Sequence, residues 1–337
     1  MKCLCLFAFL GVCGVLGNDQ IWVQLMSSQI EEAAGYDVLA ADKNIPTLAG
    51  DLGLKTLVTL VKKANLVDTL SGPGPFTVFG PTDQAFAALP KKFVDFLMKN
   101  MTVLTAILEY HVASGKVLSS DLKNNMLVPS VQGKDIRINI YKDGKVITAS
   151  GRPVTLPDQE ATNGVIHVVS GVLFPPAGTV VDVVSKCPVF KTLLKAVTIA
   201  GLADTLSGAG PFTVFAPSDK AFARIPKKCI DALLKNKTLL TSVLEYHVAP
   251  AVDYSAGLSC GDDVKTLNGA SVKITKMFGH LRVNYARVVY ADASVTNGVM
   301  HVIDRVLFPR EMNDLCGDDV MDYDDDSSET EVFVPFQ

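Results

Sequence analysis

One stretch of sequence is present twice in this chain, and the duplication constrains the possible folds more than any other feature. Twelve residues, Asp68–Phe79, return with one substitution as Asp204–Phe215, which lie 136 positions later. A repeat of this length exceeds the about 20–50 residues of solenoid repeats and matches the about 100–150 residues of a whole domain. The sequence therefore predicts two domains of one fold.

Both copies change their hydrophobic periodicity in the same order. In the first copy, leucine and valine recur at helical spacing from Leu54 to Leu70, and Ser71–Pro75 ends that helix. Further on, apolar residues alternate with polar ones at Ile136–Ile140, and Asn163–Gly164 is a strong hairpin signal. Helices followed by strands, without regular alternation, indicate the α+β class.

The first residues are predicted to be a cleaved export signal. Lys2 precedes an apolar run from Leu4 to Leu16, and the small residue Gly17 suits cleavage after it. The run is shorter than the about 20 residues of a membrane-spanning helix, and we find no other candidate span in the sequence. The protein is therefore expected to be secreted, either soluble or bound to the extracellular matrix.

Charged residues are distributed unevenly along the chain, and their distribution helps to place the boundaries between its segments. The net charge is −4, yet the last residues are strongly acidic, and such a tail is expected to be disordered because like charges repel. Asp322-x-Asp324-x-Asp326 resembles the start of a calcium loop, but Ser327 stands where glycine is needed. The predicted segments are a signal at 1–17, a leader at 18–44, domains at 45–176 and 177–309, and the tail at 310–337.

Four cysteines remain after the signal is removed, namely Cys187, Cys229, Cys260 and Cys316. An even number in an exported chain predicts disulfides, with three connectivities open. We expect Cys187–Cys316 with Cys229–Cys260, and four free thiols are the alternative. A zinc site is disfavoured because the sequence has no Cys-x-x-Cys pair after the signal.

Three sequence blocks resemble the fasciclin domain, and both copies carry them in the same order. They are Gly74–Phe86, Tyr110–Val112 and Thr162–Val168, then Gly210–Phe222, Tyr246–Val248 and Thr296–Val302. The resemblance implies two tandem fasciclin-type domains, each a β-sandwich wedge with packed helices. It also implies adhesion outside the cell, through extracellular matrix proteins, integrin-type receptors or other copies of the chain, without catalysis.

The resemblance also implies an adhesion site at the tyrosine-histidine pair of each copy, Tyr110–His111 and Tyr246–His247. The alternative is a role in the core, because each pair ends an apolar helix. Other adhesion segments of the family correspond to Leu156–Glu160 and Ala291–Val295, which match poorly, and no Arg-Gly-Asp sequence occurs.

Two further pairs of residues occupy equivalent positions in the copies. Asn100-Met-Thr102 and Asn236-Lys-Thr238 are glycosylation acceptors, and their threonines are expected to cap the next helix. His167 and His301 are expected to be structural, because no carboxylate or cysteine stands beside them at metal-ligand spacing.

The sequence has no Gly-x-Ser-x-Gly, His-Glu-x-x-His or phosphate-loop motif, so neither an enzyme nor a bound cofactor is expected. The lysine pairs Lys91–Lys92 and Lys227–Lys228 are too sparse for nucleic acid but leave acidic polysaccharide as an alternative partner. The preferred function is matrix or cell adhesion through protein–protein contacts. The alternatives are a carrier of a small apolar ligand, such as a pigment or lipid, and an organic-matrix component of a mineralised tissue whose acidic tail attracts calcium or a mineral surface.

Overall fold

The computed structural model describes residues 43–277 and 280–309, and of Met277 it describes the backbone. The predicted signal, the leader up to residue 42, the acidic tail and Cys316 therefore lie outside the described residues. Within the described part, each copy folds into helices packed on a seven-stranded sheet. This confirms the predicted α+β architecture of two tandem domains.

Domain 1 begins with helices and ends with strands. Its helices are α1 (Ile45–Asp51), α2 (Lys55–Lys63), α3 (Val67–Ser71), α4 (Asp83–Ala87), α5 (Lys91–Lys99) and α6 (Met101–Tyr110). Its strands are β1 (Phe76–Pro81), β2 (Val112–Ser114), β3 (Met126–Pro129), β4 (Asp135–Tyr141), β5 (Val146–Ala149), β6 (Arg152–Ala161) and β7 (Gly164–Val169). A short 3-10 turn, Ser119–Asp121, follows β2.

Domain 2 repeats this order. Its helices are α7 (Val180–Lys186), α8 (Lys191–Ala200), α9 (Ala203–Ser207), α10 (Asp219–Ala223), α11 (Lys227–Lys235) and α12 (Lys237–Tyr246). Its strands are β8 (Phe212–Pro217), β9 (Val248–Ala249), β10 (Asp263–Lys265), β11 (Ser271–Met277), β12 (His280–Val283), β13 (Ala286–Val295) and β14 (Gly298–Ile303). A 3-10 turn, Pro188–Phe190, precedes α8.

The two sheets have the same topology. The strand order is β2-β1-β7-β6-β5-β4-β3 in domain 1 and β10-β11-β12-β13-β14-β8-β9 in domain 2. The strands β1 and β7 pair in parallel, as do β8 and β14, and the other neighbours are antiparallel. A bridge between Ala113 and Ser130 brings the two edges of the first sheet together, so the sheet is nearly closed.

The predicted helix from Leu54 to Leu70 is two helices, α2 and α3. Asn65 between them has a φ of 56°, and the equivalent Gly201 has a φ of 75°. A residue in this left-handed region ends an α-helix, because the next N–H can no longer reach the carbonyl four residues back. Periodicity alone predicted one helix since its apolar spacing continues across the break.

The predicted hairpin is present, but its turn is one residue earlier than expected. Ala161 pairs with Gly164, so Thr162 and Asn163 form the turn between β6 and β7. Gly164 serves a different purpose, because a Cβ there would lie 2.0 Å from the carbonyl oxygen of Phe76. The glycine thus allows β1 and β7 to approach.

The Asn163 amide connects this turn to the helices. Its Oδ1 accepts a hydrogen bond from Ile45 N at 2.9 Å, and its Nδ2 donates to Leu70 O at 2.7 Å and Gly72 O at 2.9 Å. In domain 2, Asn297 makes the three equivalent bonds, to Val180, Leu206 and Gly208. One side chain in each domain thus fixes the start of one helix and the end of another against the sheet.

The predicted disulfide pairs are wrong, because neither Cys187 nor Cys260 forms a disulfide among the described residues. Cys187 ends α7, where burial raises the pKa of its thiol. Cys260 lies in the loop before β10, and Cys229 is buried in α11. The number of cysteines suggested pairing, but pairing depends on distances that sequence spacing does not give.

The two domains meet through a pair of tyrosines that each lie over a glycine of the other domain. The hydroxyl of Tyr141 donates to Val252 O at 3.0 Å and accepts from Tyr254 N at 3.0 Å. An added Cβ at Gly257 would lie 2.5 Å from the Tyr141 ring, and one at Gly151 would lie 2.3 Å from the Tyr254 ring. The rings therefore occupy the space that side chains at these glycines would need.

Polar contacts extend this joint. The Arg137 guanidinium donates to Thr296 O at 2.9 Å, and the buried Tyr254 hydroxyl is 3.0 Å from Ser294 Oγ. Ser294 Oγ in turn lies 3.4 Å from Ser150 O of domain 1. Because these bonds cross between domains in several places, the two domains are held in one arrangement.

We predict that Gly257→Ala loosens the joint without harming either domain. The added methyl collides with the Tyr141 ring, and such overpacking costs about 1–3 kcal/mol. We expect calorimetry to resolve two separate thermal transitions, one for each domain, in the variant. In the wild type the two transitions should overlap more, because the joint couples the unfolding of the domains. Gly50→Ala is the control, because a Cβ there meets no atom within 4 Å. Equal coupling in Gly257→Ala and the wild type would contradict the described joint.

Candidate functional site

The tyrosine of each tyrosine-histidine pair is buried and hydrogen-bonded within its own domain. Tyr110 is 0% exposed, and its hydroxyl donates to Asp135 O at 2.9 Å and lies 3.0 Å from Ser150 Oγ. Tyr246 is 5% exposed, and its hydroxyl donates to Ser271 O at 3.1 Å. Each tyrosine thus fastens the last long helix of its domain to the first residue of a strand, β4 or β11.

The histidine of each pair is buried beside the tyrosine. His111 is 1% exposed; its Nδ1 donates to Ile107 O at 2.7 Å, and its Nε2 accepts from Leu173 N at 2.9 Å. The acceptor role of Nε2 requires the neutral ring, and burial lowers the pKa of His111 to about 4. His247 repeats this geometry, and burial lowers its pKa to about 4 as well.

The side chains of the implied adhesion site are therefore buried in both domains. Among the described residues, Tyr110, His111, Tyr246 and His247 offer a partner protein almost no surface, and the structure gives each polar tip an internal partner. A partner could contact these four side chains only after the helix had left the sheet. In the folded domains the tyrosines tie α6 or α12 to a strand, and the histidines tie it to the segment that follows β7 or β14.

The segments before the hairpin turn are also engaged internally. The Asp158 carboxylate accepts from Ser119 N at 2.7 Å and from the Ser119 hydroxyl. In domain 2, Asp292 accepts from Ser255 N at 2.7 Å and from Ser255 Oγ at 2.5 Å. These carboxylates hold the loop after β2 or β9 in place, so they are not free acidic ligands for a receptor.

A serine, an aspartate and a histidine therefore meet in each domain, but their connections are not those of a hydrolase. His167 accepts from Asp158 N at Nδ1, at 3.2 Å, and donates from Nε2 to Val117 O at 2.9 Å. Both ring nitrogens are used, and the serine donates to the aspartate instead of to the histidine. Activation of a serine requires a base that accepts its proton, so this cluster is a structural clip.

His301 occupies the same place in domain 2, where its Nε2 lies 2.9 Å from Asp253 O. Within residues 43–277 and 280–309, no group of three or more histidine, cysteine or acidic side chains is placed to hold a metal ion. Burial lowers the pKa of His167, which favours the neutral ring. Sequence reasoning placed these histidines in the last strand but did not identify the serine and aspartate that join them.

The two glycosylation acceptors cap helices in a way that differs from the expectation. Asn100 Oδ1 accepts from Val103 N at 3.3 Å, and Asn236 Oδ1 accepts from Leu239 N at 3.2 Å. The asparagine, not the threonine, is therefore the cap. These cap bonds use only Oδ1, while a glycan attaches to the amide nitrogen, and Thr102 and Thr238 are exposed.

Domain 1 also contains a large apolar cavity between its helices and its sheet. The cavity has a volume of about 520 Å³ and is lined by parts of α1, α2, α3, α6 and β1. The space at the equivalent position in domain 2 has a volume of about 20 Å³.

The described helices include none that is long and apolar enough to cross a membrane.

Comparison with known proteins gives a family for both domains. The family model for the fasciclin domain matches residues 52–175 and 188–309. A FAS1 domain pair from the insect cell adhesion molecule Fasciclin I is a structural neighbour with 21% sequence identity. It covers 77% of this chain and 98% of its own, with a TM-score of 0.38.

Several curated proteins are similar in sequence. Transforming growth factor-beta-induced protein ig-h3 of Sus scrofa is 29% identical over 288 residues, which are 82% of this chain and 42% of that protein. Periostin of Homo sapiens is 30% identical over 275 residues, covering 81% of this chain and 33% of periostin. Uncharacterized protein sll1735 of Synechocystis is 47% identical over 131 residues, which are 39% of this chain and 96% of that protein. The chain thus spans less than half of each animal relative.

We predict that the buried histidines make the protein sensitive to acid. His111 has a pKa of about 4 in the fold and about 6.5 when unfolded, so the unfolded chain takes up the proton first. The free energy of unfolding is therefore expected to fall as the pH drops from about 6.5 to 4, by on the order of 3 kcal/mol for each such histidine. Urea unfolding at several pH values measures this dependence.

The matched variants for the acid prediction are His111→Gln and His247→Gln. Each is expected to be less stable than the wild type at pH 7, because two buried hydrogen bonds are altered. The difference between the variant and the wild type should shrink as the pH falls, since glutamine does not titrate. A difference that stays constant from pH 7 to pH 4 would show that these rings do not carry the acid sensitivity.

We predict that Asn100 and Asn236 each carry a glycan when the chain is secreted. Thr102→Ala and Thr238→Ala each remove one acceptor signal but keep the asparagine cap of the helix. Mass spectrometry before and after glycosidase treatment is expected to show one glycan fewer in each variant. Thr102→Ser and Thr238→Ser retain the signal and are the controls. Equal masses before and after glycosidase treatment of the wild type would refute the prediction.

Proposed function

This chain belongs to the fasciclin family, and we propose that it is a secreted extracellular-matrix and cell-adhesion protein that acts through protein–protein contacts. The observation that carries the proposal is the family match over both domains. Membership implies adhesion outside the cell, and the predicted export signal agrees with that location. Proposed partners are matrix proteins and integrin-type receptors.

The contact surface of this proposal lies outside the tyrosine-histidine pairs, because those side chains are buried. The joint between the domains supports a contact surface that includes both, since it fixes their relative positions. A partner can then contact both domains at once, and two linked contacts bind more tightly than either one alone.

Three exposed apolar side chains on domain 1 are the preferred candidate for direct contact. Phe96, Met98 and Met101 lie at the end of α5 and the start of α6, and they are 42%, 38% and 37% exposed. The equivalent positions in domain 2, found 136 residues later, hold Ala232, Leu234 and Lys237. Methionine and aromatic residues are enriched at the centres of protein interfaces, so domain 1 is the better candidate for the contact.

We predict that Tyr110→Phe lowers stability but leaves cell attachment unchanged. The substitution removes hydroxyl bonds to Asp135 and Ser150, which costs about 1–2 kcal/mol. Attachment of cells to a coated surface, measured well below the melting temperature, should equal that of the wild type. The triple variant Phe96→Ala, Met98→Ala, Met101→Ala is expected to reverse this outcome, with weaker attachment and little change in stability.

The opposite result for these variants would restore the tyrosine-histidine pair as a contact site. Loss of attachment by Tyr110→Phe, at a temperature where circular dichroism shows the folded protein, would do so.

The receptor class has its own test, in which cells lacking β-integrins are compared with normal cells. Equal attachment of both cell types would exclude integrins and leave adhesion through another receptor.

The other functions stay secondary proposals. The acidic segment 310–337, proposed to attract calcium or a mineral surface, lies outside the described residues. Lys91, Lys92, Lys227 and Lys228 are exposed at the starts of α5 and α11, where acidic polysaccharide could reach them. A carrier of a small apolar ligand has support in domain 1 alone, where the cavity lies between the helices and the sheet.

A further inference from the structure

We propose that domain 1 binds one neutral, mostly hydrocarbon small molecule in the cavity between its helices and its sheet. This site goes beyond adhesion and does not depend on it. The cavity volume of about 520 Å³ falls within the about 300–1,000 Å³ of small-molecule sites. Packed interiors contain few spaces larger than a water molecule, so a space of this size makes domain 1 the candidate for a ligand site.

The chemistry of the walls selects an apolar ligand. Helix α2 contributes Leu57, Val58 and Val61, while the sheet contributes Phe76 and Val78. Such aliphatic and aromatic walls offer dispersion contacts to a hydrocarbon but few hydrogen bonds to a polar ligand. A hydrocarbon ligand therefore gains contacts here that water cannot make.

The charges near the cavity favour a neutral ligand. Lys62 and Glu109 are its charged lining residues among those described, and they have opposite signs. His111 also borders the cavity, but its ring is neutral and both nitrogens have partners. A buried charge without a partner is costly, and the two charges that line this site sum to zero, so the site favours neither an anion nor a cation.

Domain 2 shows how the same fold fills this space. The lining residues Leu193, Leu194 and Val197 are the equivalents of Leu57, Val58 and Val61, yet the space there is about 20 Å³. Helices α8 and α12 pack directly on each other, whereas α2 and α6 barely meet. The open cavity is therefore a property of domain 1 and not of the fold.

Differences in sequence between the two copies explain why this space is nearly closed in domain 2. Ala196 in α8 stands where α2 has Leu60, and a smaller side chain lets two helices come closer. A larger side chain also fills part of the remaining volume, because Val184, which lines the space in domain 2, stands where α1 has Ala49.

The competing occupant is the chain that precedes α1, residues 18–42. Its end lies next to Asn44 and Ile45, which line the cavity, and its sequence predicts an amphipathic helix at 20–34. A helix with its side chains is about 10–12 Å across, about the full width of a space of this volume. The walls would therefore have to separate to admit the helix, so a small molecule is the better fit.

The test uses the full secreted chain and the neutral fluorescent probe N-phenyl-1-naphthylamine. We expect saturable binding of one probe per chain, and at least a tenfold loss of affinity in Val58→Phe, where the larger ring fills the cavity. Leu194→Phe is the matched control, since it adds the ring at the equivalent half-buried position of domain 2. It should leave probe affinity unchanged, and Val58→Phe should leave cell attachment unchanged.

Three results would overturn the proposal: probe binding that does not saturate, equal affinities in Val58→Phe and the wild type, or tighter binding of the anionic probe palmitate than of the neutral one. A tenfold gain in probe affinity after deletion of residues 18–42 would instead identify that segment as the occupant. If Val58→Phe does not fold, Ala49→Val introduces the residue found in domain 2 and provides the same comparison.

Discussion

A single side-chain amide in each domain ties the helices to the sheet. Asn163 and Asn297 each satisfy one N–H at the start of a helix and two carbonyl groups at the end of another, groups that a helix cannot pair internally. The backbone of Asn163 also accepts from Phe76 N at 3.0 Å, which sets the first residue of β1. Helices α1 and α3 border the cavity, so the position of its walls depends on this amide as well.

The features that the two copies share could be predicted from the sequence. The duplication, the α+β class and the β6–β7 hairpin all follow from periodicity and turn chemistry, and the structure agrees with them. Periodicity missed the break at Asn65, because a single left-handed residue hardly disturbs apolar spacing. It also could not separate a buried tyrosine-histidine pair from an exposed one, since an amphipathic helix places such residues near the edge of its apolar face.

The features that differ between the copies, or that join distant residues, could not be predicted from the sequence. The cavity depends on pairs such as Leu60 and Ala196, each an ordinary helix residue whose effect appears only when the two domains are compared. The Ser119–Asp158–His167 clip joins residues that are distant in sequence and have no motif spacing. The same limit applies to the cysteines, because the predicted pairs Cys187–Cys316 and Cys229–Cys260 rest on the number of cysteines and not on distances.

The joint between the domains cannot be copied along a row of such modules. Each of its four central residues is replaced in the other copy: Tyr141 by Met277, Gly151 by Tyr285, Tyr254 by Leu118 and Gly257 by Asp121. A copy of domain 1 in the place of domain 2 would lack the Tyr254 ring and the gap at Gly257, and a copy of domain 2 in the place of domain 1 would lack the Tyr141 ring and the gap at Gly151. The contact is therefore specific to domain 1 paired with domain 2, and two copies of the same domain cannot reproduce it.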